Sequence, residues 1–190
     1  MAKGIIIIAG IGLTGVKEDL SCYRAEIKIE LQKLTTLYKG ASLRIVSSLQ
    51  EGAERMIVKV AQELGIAYRV LLPMPIKLYE KQFTEASRRE LRNLLNNAEQ
   101  IETVPWYAGN TADRITHPVL CSFQYRASGY KLARDCDEMI MLFNFEFENV
   151  SPGSIADIYL YRRSLSKPLH VIKCQQGRES PTVPKKQWLK

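Results

Sequence analysis

Residues 43–72 read LRIVSSLQEGAERMIVKVAQELGIAYRVLL, and this stretch decides the fold. It opens on an apolar run, Leu43 to Ser47, and closes on another, Ala67 to Leu72. Between them Ala53, Ile57, Val60, Ala61 and Leu64 recur at helical spacing, and Gly65 stands where a helix ends. Strand, helix and strand in about thirty residues is the unit from which parallel sheets are built.

The same alternation extends in both directions. Further strands are predicted at Gly4 to Ala9, Gln100 to Thr103, Glu138 to Phe143 and Pro168 to Ile172. Leu20, Tyr23, Ile27, Leu31, Leu34 and Tyr38 line one face of a long helix, and further helices are predicted over residues 84–98, 119–134 and 154–164. Mostly continuous apolar strands indicate a sheet covered on both faces, so the expected class is α/β, a doubly wound, mostly parallel, Rossmann-like sandwich. Residues 1–173 are expected to form one domain, and residues 174–190 a basic C-terminal tail.

At 190 residues, 46% hydrophobic and 25% charged, the chain is long enough to bury a core without disulfide or metal support. No apolar run reaches membrane-spanning length, and GIIIIAGIG lacks a secretory cleavage site, so a cytoplasmic protein without membrane contact is expected. Cys22, Cys121, Cys136 and Cys174 form no CxxC pair, and only His117 and His170 could join them. Reduced core thiols, no metal site and no cofactor are expected. Much of the net charge of +7 sits in the tail, which argues against nucleic acid as the main partner.

In doubly wound sheets ligands bind beyond the carboxyl ends of the strands, so four strand-to-helix loops carry the functional reading. In AGIGLTG, Gly10, Gly12 and Gly15 permit tight backbone turns and Thr14 offers a hydroxyl. The spacing matches a dinucleotide fingerprint, but no acid closes the second strand to hold a ribose. In SSLQEGAER, Ser48 and Glu51 can form a capping box, while the helix start offers amides to an anion and Gly52 gives a ligand room to approach. In LLPMPIKLYEKQF, Pro73 and Pro75 delay helix entry and bring Lys77, Tyr79, Lys81 and Phe83 to the same edge. The fourth loop starts at Asn144 and ends in Gly153 and Ser154, which serve equally as a helix start and as a phosphate seat. The polar connection VPWYAGNTADRITHP is either a lid or an ordered surface loop.

Taken together, GLTGVKEDL, SSLQEGAERMIVKVAQELG, YRVLLPMPIKLYEKQF, YRASGYKLARDCDEMIMLFN and GSIADIYLYRRSLSKPLHVI resemble the SLOG superfamily over residues 4–173. That Rossmann-like group unites cytokinin-activating LOG proteins, DNA-processing DprA and nucleotide sensors of bacterial defence systems. The resemblance implies a site for a nucleotide-derived small molecule at Gly12, Thr14, Gly15, Ser48, Glu51, Gly52, Arg55, Gly153 and Ser154. The base is expected near Tyr79 or Tyr125, and a homo-oligomer is expected from the resemblance alone.

Departures from the hydrolytic members count against catalysis. TGVK replaces TGHR, and PGSIADI replaces PGGxGTxxE, with Asp157 at the glutamate position. Ser128 occupies the position of the hydrolases' arginine, and Arg126, two residues away, is expected to point elsewhere. Hydrolysis of an N-glycosidic bond needs charge stabilisation at the departing base and at the sugar. Binding without chemistry is therefore the leading expectation. The alternatives are a LOG-like phosphoribohydrolase using Asp157 with Arg55 or Arg126, and a DprA-like DNA-associated protein.

Overall fold

The computed structural model describes residues 4–13, 20–105, 118–144, 147 and 150–174, with the backbone alone at 118–120. Thr14, Gly15, most of the connection at 104–118 and the tail beyond Cys174 lie outside the described residues.

Six strands form one sheet in the order β4-β3-β2-β1-β5-β6, and every neighbouring pair is parallel. They are β1 (Ile5–Gly12), β2 (Ser42–Ser47), β3 (Ala67–Leu72), β4 (Gln100–Thr103), β5 (Glu138–Phe143) and β6 (Leu169–Lys173). The helices are α1 (Arg24–Leu37), α2 (Ala53–Glu63), the single turn α3 (Ile76–Tyr79), α4 (Glu85–Asn96), α5 (Pro118–Asp135) and α6 (Ile155–Ser164).

The strand order explains the layers. From β1 to β4 the chain steps in one direction, and right-handed crossovers place α1, α2 and α4 on one face. It then returns to add β5 and β6 beyond β1, which puts α5 and α6 on the other face. The core divides accordingly. Ile8, Ile27, Leu31, Ile45, Ile57, Val70 and Leu91 pack on the first face, and Ala9, Leu132, Met139, Met141, Phe143 and Ile158 on the second. β5 is buried along its whole length, whereas β4, the edge strand, is exposed throughout. The expected doubly wound α/β class is the observed one.

β1 runs three residues further than its apolar run suggests, through Gly12. Gly10 and Gly12 therefore lie within the strand rather than in the loop after it. A Cβ at Gly10 would stand 2.8 Å from Ile57 Cγ2, and one at Gly12 2.6 Å from the Ala53 Cβ. These glycines let α2 lie close against β1, so the fingerprint-like spacing has a packing cause at its first two positions.

The start of α2 also differs from expectation. Gly52 is its N-cap, no side chain caps it, and the Ser48–Glu51 capping box is not formed. The room that Gly52 provides is taken by the chain itself: a Cβ there would lie 2.7 Å from the Leu13 carbonyl oxygen. That carbonyl accepts the Ala53 amide at 3.2 Å.

All four cysteines are thiols, with Cys22, Cys136 and Cys174 buried and Cys121 half-buried. Among the described residues no group of His, Cys, Asp and Glu could hold a metal ion, and no helix is long and apolar enough to cross a membrane.

Candidate functional site

β1 lies between β2 and β5; the connection after β1 leads to β2 on one side and the connection after β5 leads to β6 on the other. Doubly wound sheets open a crevice beyond the strand ends at such a switch. Here it is a cleft of about 410 Å³, open solvent at its mouth included. Ile11 and Gly12 of β1 form its floor, and Ser48, Gln50 and Glu54 one wall. The opposite wall comes from Tyr125, Ser128 and Gly129 of α5 and from Gly153, Ser154, Ile155 and Ile158 at the start of α6.

Five residues expected to bind ligand line this cleft: Gly12, Ser48, Tyr125, Gly153 and Ser154. Ser128 lines it too, so the position that carries an arginine in the hydrolases does face the site, with a hydroxyl that donates to the Tyr125 carbonyl at 3.1 Å. Ser154 is the N-cap of α6, and its Oγ accepts the Asp157 amide at 3.2 Å. Gly153, at φ +80°, sits where a Cβ would be 2.6 Å from the Ser122 carbonyl oxygen, so it too makes room for protein.

Other expected residues do not reach the cleft. Tyr79 is fully buried and donates its hydroxyl to the Ser48 carbonyl at 2.9 Å. Its ring packs edge-on against Phe83, so it offers no open face to a base. Pro73 is buried, Glu51 is exposed on the loop, and Asn144 follows the end of β5.

Arg55 is no catalytic candidate, because it is only 2% exposed and its guanidinium ties buried elements together. Nε donates to the Leu49 carbonyl at 2.9 Å, and Nη1 reaches Ser87 Oγ at 2.8 Å and Glu90 Oε2 at 2.7 Å. Leu49 is buried at φ +57°, a left-handed conformation that costs a non-glycine residue about 1–3 kcal/mol. Arg55 thus holds a strained loop in place beneath the cleft wall.

Arg126 points away from the cleft that Ser128 lines, in keeping with its place two residues along the helix, and toward Asp157. Its Nε lies 3.1 Å from Asp157 Oδ2, and Tyr130 donates its hydroxyl to Oδ1 of the same carboxylate at 2.9 Å. Arg126 and Asp157 are therefore brought together, but neither lines the cleft.

The residue that linear reading missed is Glu54, which is 2% exposed yet lines the cleft. Its Oε2 accepts the Ser47 hydroxyl at 3.0 Å and the Gln50 amide at 3.2 Å. Burial raises its pKa from an ordinary 4.5 to about 7, against the opposing pull of these hydrogen bonds and of Arg55. The signal in the sequence was an acid in the first turn of a helix that follows a strand ending in serine.

A stability prediction follows from the sign of that shift. The folded protein holds the Glu54 proton more firmly than the unfolded chain does. Stability from this group is therefore greatest at low pH and falls as pH rises through 4.5 to 7, by up to about 3 kcal/mol. Glu54→Gln should make the protein more resistant to urea than wild type at pH 8, and the advantage should vanish near pH 4.5. A variant less stable at pH 8 would show that the carboxylate is better satisfied in the fold than in water.

No protein-family model and no curated protein matches the sequence. Among solved structures the fold has a clear counterpart. It is similar to DNA processing protein A. The match, to DprA from Streptococcus pneumoniae, has a TM-score of 0.57 at 13% identity and covers 91% of this chain. The chain spans about half of DprA, 52% of its length. At that identity the likeness to DprA concerns the fold alone.

Proposed function

We propose that the chain is a binding domain for a nucleotide-derived small molecule, held in the cleft between the ends of β1 and β5. The observation that carries this reading is the convergence of four elements on one crevice at the switch point, with a buried carboxyl in its wall. Concave sites with an apolar floor and a few convergent polar groups are where small ligands bind. Ile11, Ile155 and Ile158 supply the apolar surface, and Ser48, Gln50, Glu54, Tyr125 and Ser128 the polar groups.

Hydrolysis is supported less well. The acid and the arginine that it would use are engaged with each other outside the cleft lining, and the cleft position of the arginine holds Ser128. DprA is a DNA processing protein by its name, but no lysine or arginine lines the cleft among the described residues.

Thermal-shift titration with nucleosides, nucleotides and cyclic nucleotides tests the reading. A ligand at a hundred times its Kd should stabilise the fold by about 2.7 kcal/mol. Ser128→Leu, which fills the cleft from α5, should abolish the shift, and Gln50→Ala should reduce it. If no compound stabilises the wild type, or if Ser128→Leu responds as wild type does, the cleft is not the site. Free base released from a nucleoside monophosphate, and lost in Asp157→Asn, would instead favour the hydrolase.

A further inference from the structure

Both helix starts beside the cleft are closed by the chain's own groups. At α6 the Asp157 carboxylate folds back on the first turn, and its Oδ2 accepts the Gly153 amide at 2.9 Å. Arg126 and Tyr130 complete its surroundings. At α2 the Ala53 amide is spent on the Leu13 carbonyl, and the Glu54 carboxyl lies over the connection that leads into the helix. A helix N-terminus attracts anions through free amides and its positive end. At each of these two starts an arriving phosphate would meet a carboxyl group already in the favourable place.

Glu54 occupies a telling position. Its carboxyl is hydrogen-bonded to the hydroxyl of Ser47, the last residue of β2. In dinucleotide-binding sheets the acid at the end of the second strand is the group that accepts a ribose hydroxyl. Here the acid reaches the same place from the first turn of α2, so the strand's own sequence does not reveal it.

We infer that the cleft takes the phosphate-free part of a nucleoside compound, with the Glu54 carboxyl accepting a hydrogen bond from a ribose hydroxyl or a base amino group. This inference rests on the cleft being the ligand site. Phosphate, where the compound carries one, adds nothing to the affinity.

The carboxyl is surrounded from several elements. The Ser47 hydroxyl faces it from the end of β2, the Gln50 amide from the connection after it, Tyr79 from α3 and Tyr125 from α5. Arg55 is the cation nearest in sequence: its Nε and Nη1 are committed to Leu49, Ser87 and Glu90, its buried Nη2 carries no hydrogen bond, and its charge pulls against the raised Glu54 pKa. With its pKa raised to about 7, Glu54 is mostly neutral at pH 6 and mostly ionised at pH 8, and the ionised form is the better acceptor.

Isothermal titration calorimetry with adenosine, guanosine, cytidine and their 5′-monophosphates, at pH 6 and pH 8, tests the inference. The expected result is that at least one nucleoside binds and its monophosphate binds no tighter. The wild type should bind that nucleoside several-fold more weakly at pH 6. Glu54→Gln should bind it roughly tenfold more weakly at pH 8, with no pH dependence left. The 2′-deoxy- and 2′,3′-dideoxynucleosides then separate the two donors: weaker binding of either assigns a ribose ring hydroxyl, and equal binding of both the base amino group.

A monophosphate that binds tighter than its nucleoside overturns the inference and leaves the cleft a ligand site. So does nucleoside binding that is flat in pH in the wild type, a comparison that does not depend on the variant folding. Failure of every compound to bind overturns both the inference and the functional reading beneath it.

Discussion

Arg162→Met should lower the stability of the protein by about 4 kcal/mol, a fall in Tm of roughly 10 °C. Arg162 is completely buried, and among the described residues its hydrogen bonds go to no carboxylate. Its partners are carbonyl oxygens. Nη1 donates to Ala133 at 2.5 Å and to Cys136 at 3.2 Å, Nη2 to Asp137 at 2.8 Å and to Pro168 at 2.7 Å, and Nε again to Pro168 at 3.1 Å.

These carbonyls belong to the end of α5, the entry to β5 and the turn into β6, where helix geometry leaves acceptors without intrahelical partners. Methionine keeps most of the stem volume and removes every donor. Each abandoned acceptor costs about 1–3 kcal/mol, partly offset because a charge no longer has to be buried. Urea unfolding of Arg162→Met beside Arg163→Met measures the effect. The exposed neighbour should change stability by no more than about 0.5 kcal/mol. Equal, small effects for the two variants would show that water satisfies those carbonyls.

Gly52→Ala should cost a comparable amount, about 4 kcal/mol, for two separable reasons. The residue sits at φ +102° and ψ −126°, a region that L side chains rarely enter. The added methyl would also lie 2.7 Å from the Leu13 oxygen, a backbone atom. The carbonyl cannot retreat without giving up its 3.2 Å hydrogen bond from Ala53. Gly65→Ala is the control, because Gly65 has φ +70° but open space around it. It should lose only about 1–2 kcal/mol of backbone strain. The difference between the two variants in denaturant midpoint isolates the collision, and no difference would refute it.

The elements of the fold were legible because each one repeats its own signal. The run Ala67 to Leu72 is apolar enough to be central, and β3 begins and ends on those residues. Even the weaker run Gln100 to Thr103 gave its strand, and its polar character reflects an edge position exposed along its length. The site was legible by place and only partly by residue. Of the residues the sequence singled out, Ser48, Tyr125, Gly153 and Ser154 line the cleft at the carboxyl ends of the strands.

What escaped depended on contacts between distant segments. Nothing near Gly52 in the sequence announces that the Leu13 carbonyl will occupy the space beside it. Arg126 meets Asp157 because α5 and α6 pack side by side, a relation that counting along one helix does not contain. Glu54 looked like an ordinary first-turn acid. Its importance comes from burial, which is a property of the assembled sheet.

The two bare positions in β1 have a consequence for selectivity. Because Gly10 and Gly12 let α2 settle directly on the strand, the distance from β1 to the Glu54 wall is gauged by backbone against the Ala53 methyl group and the β-branched Ile57 side chain, which is stiff at χ1. A guest must fit that span as it stands. The opposite wall, with the longer side chains of Tyr125 and Ile158, is the side on which accommodation can occur. Relatives that diverge in what they hold would then be expected to change there first, while the glycine strand stays as a fixed jaw.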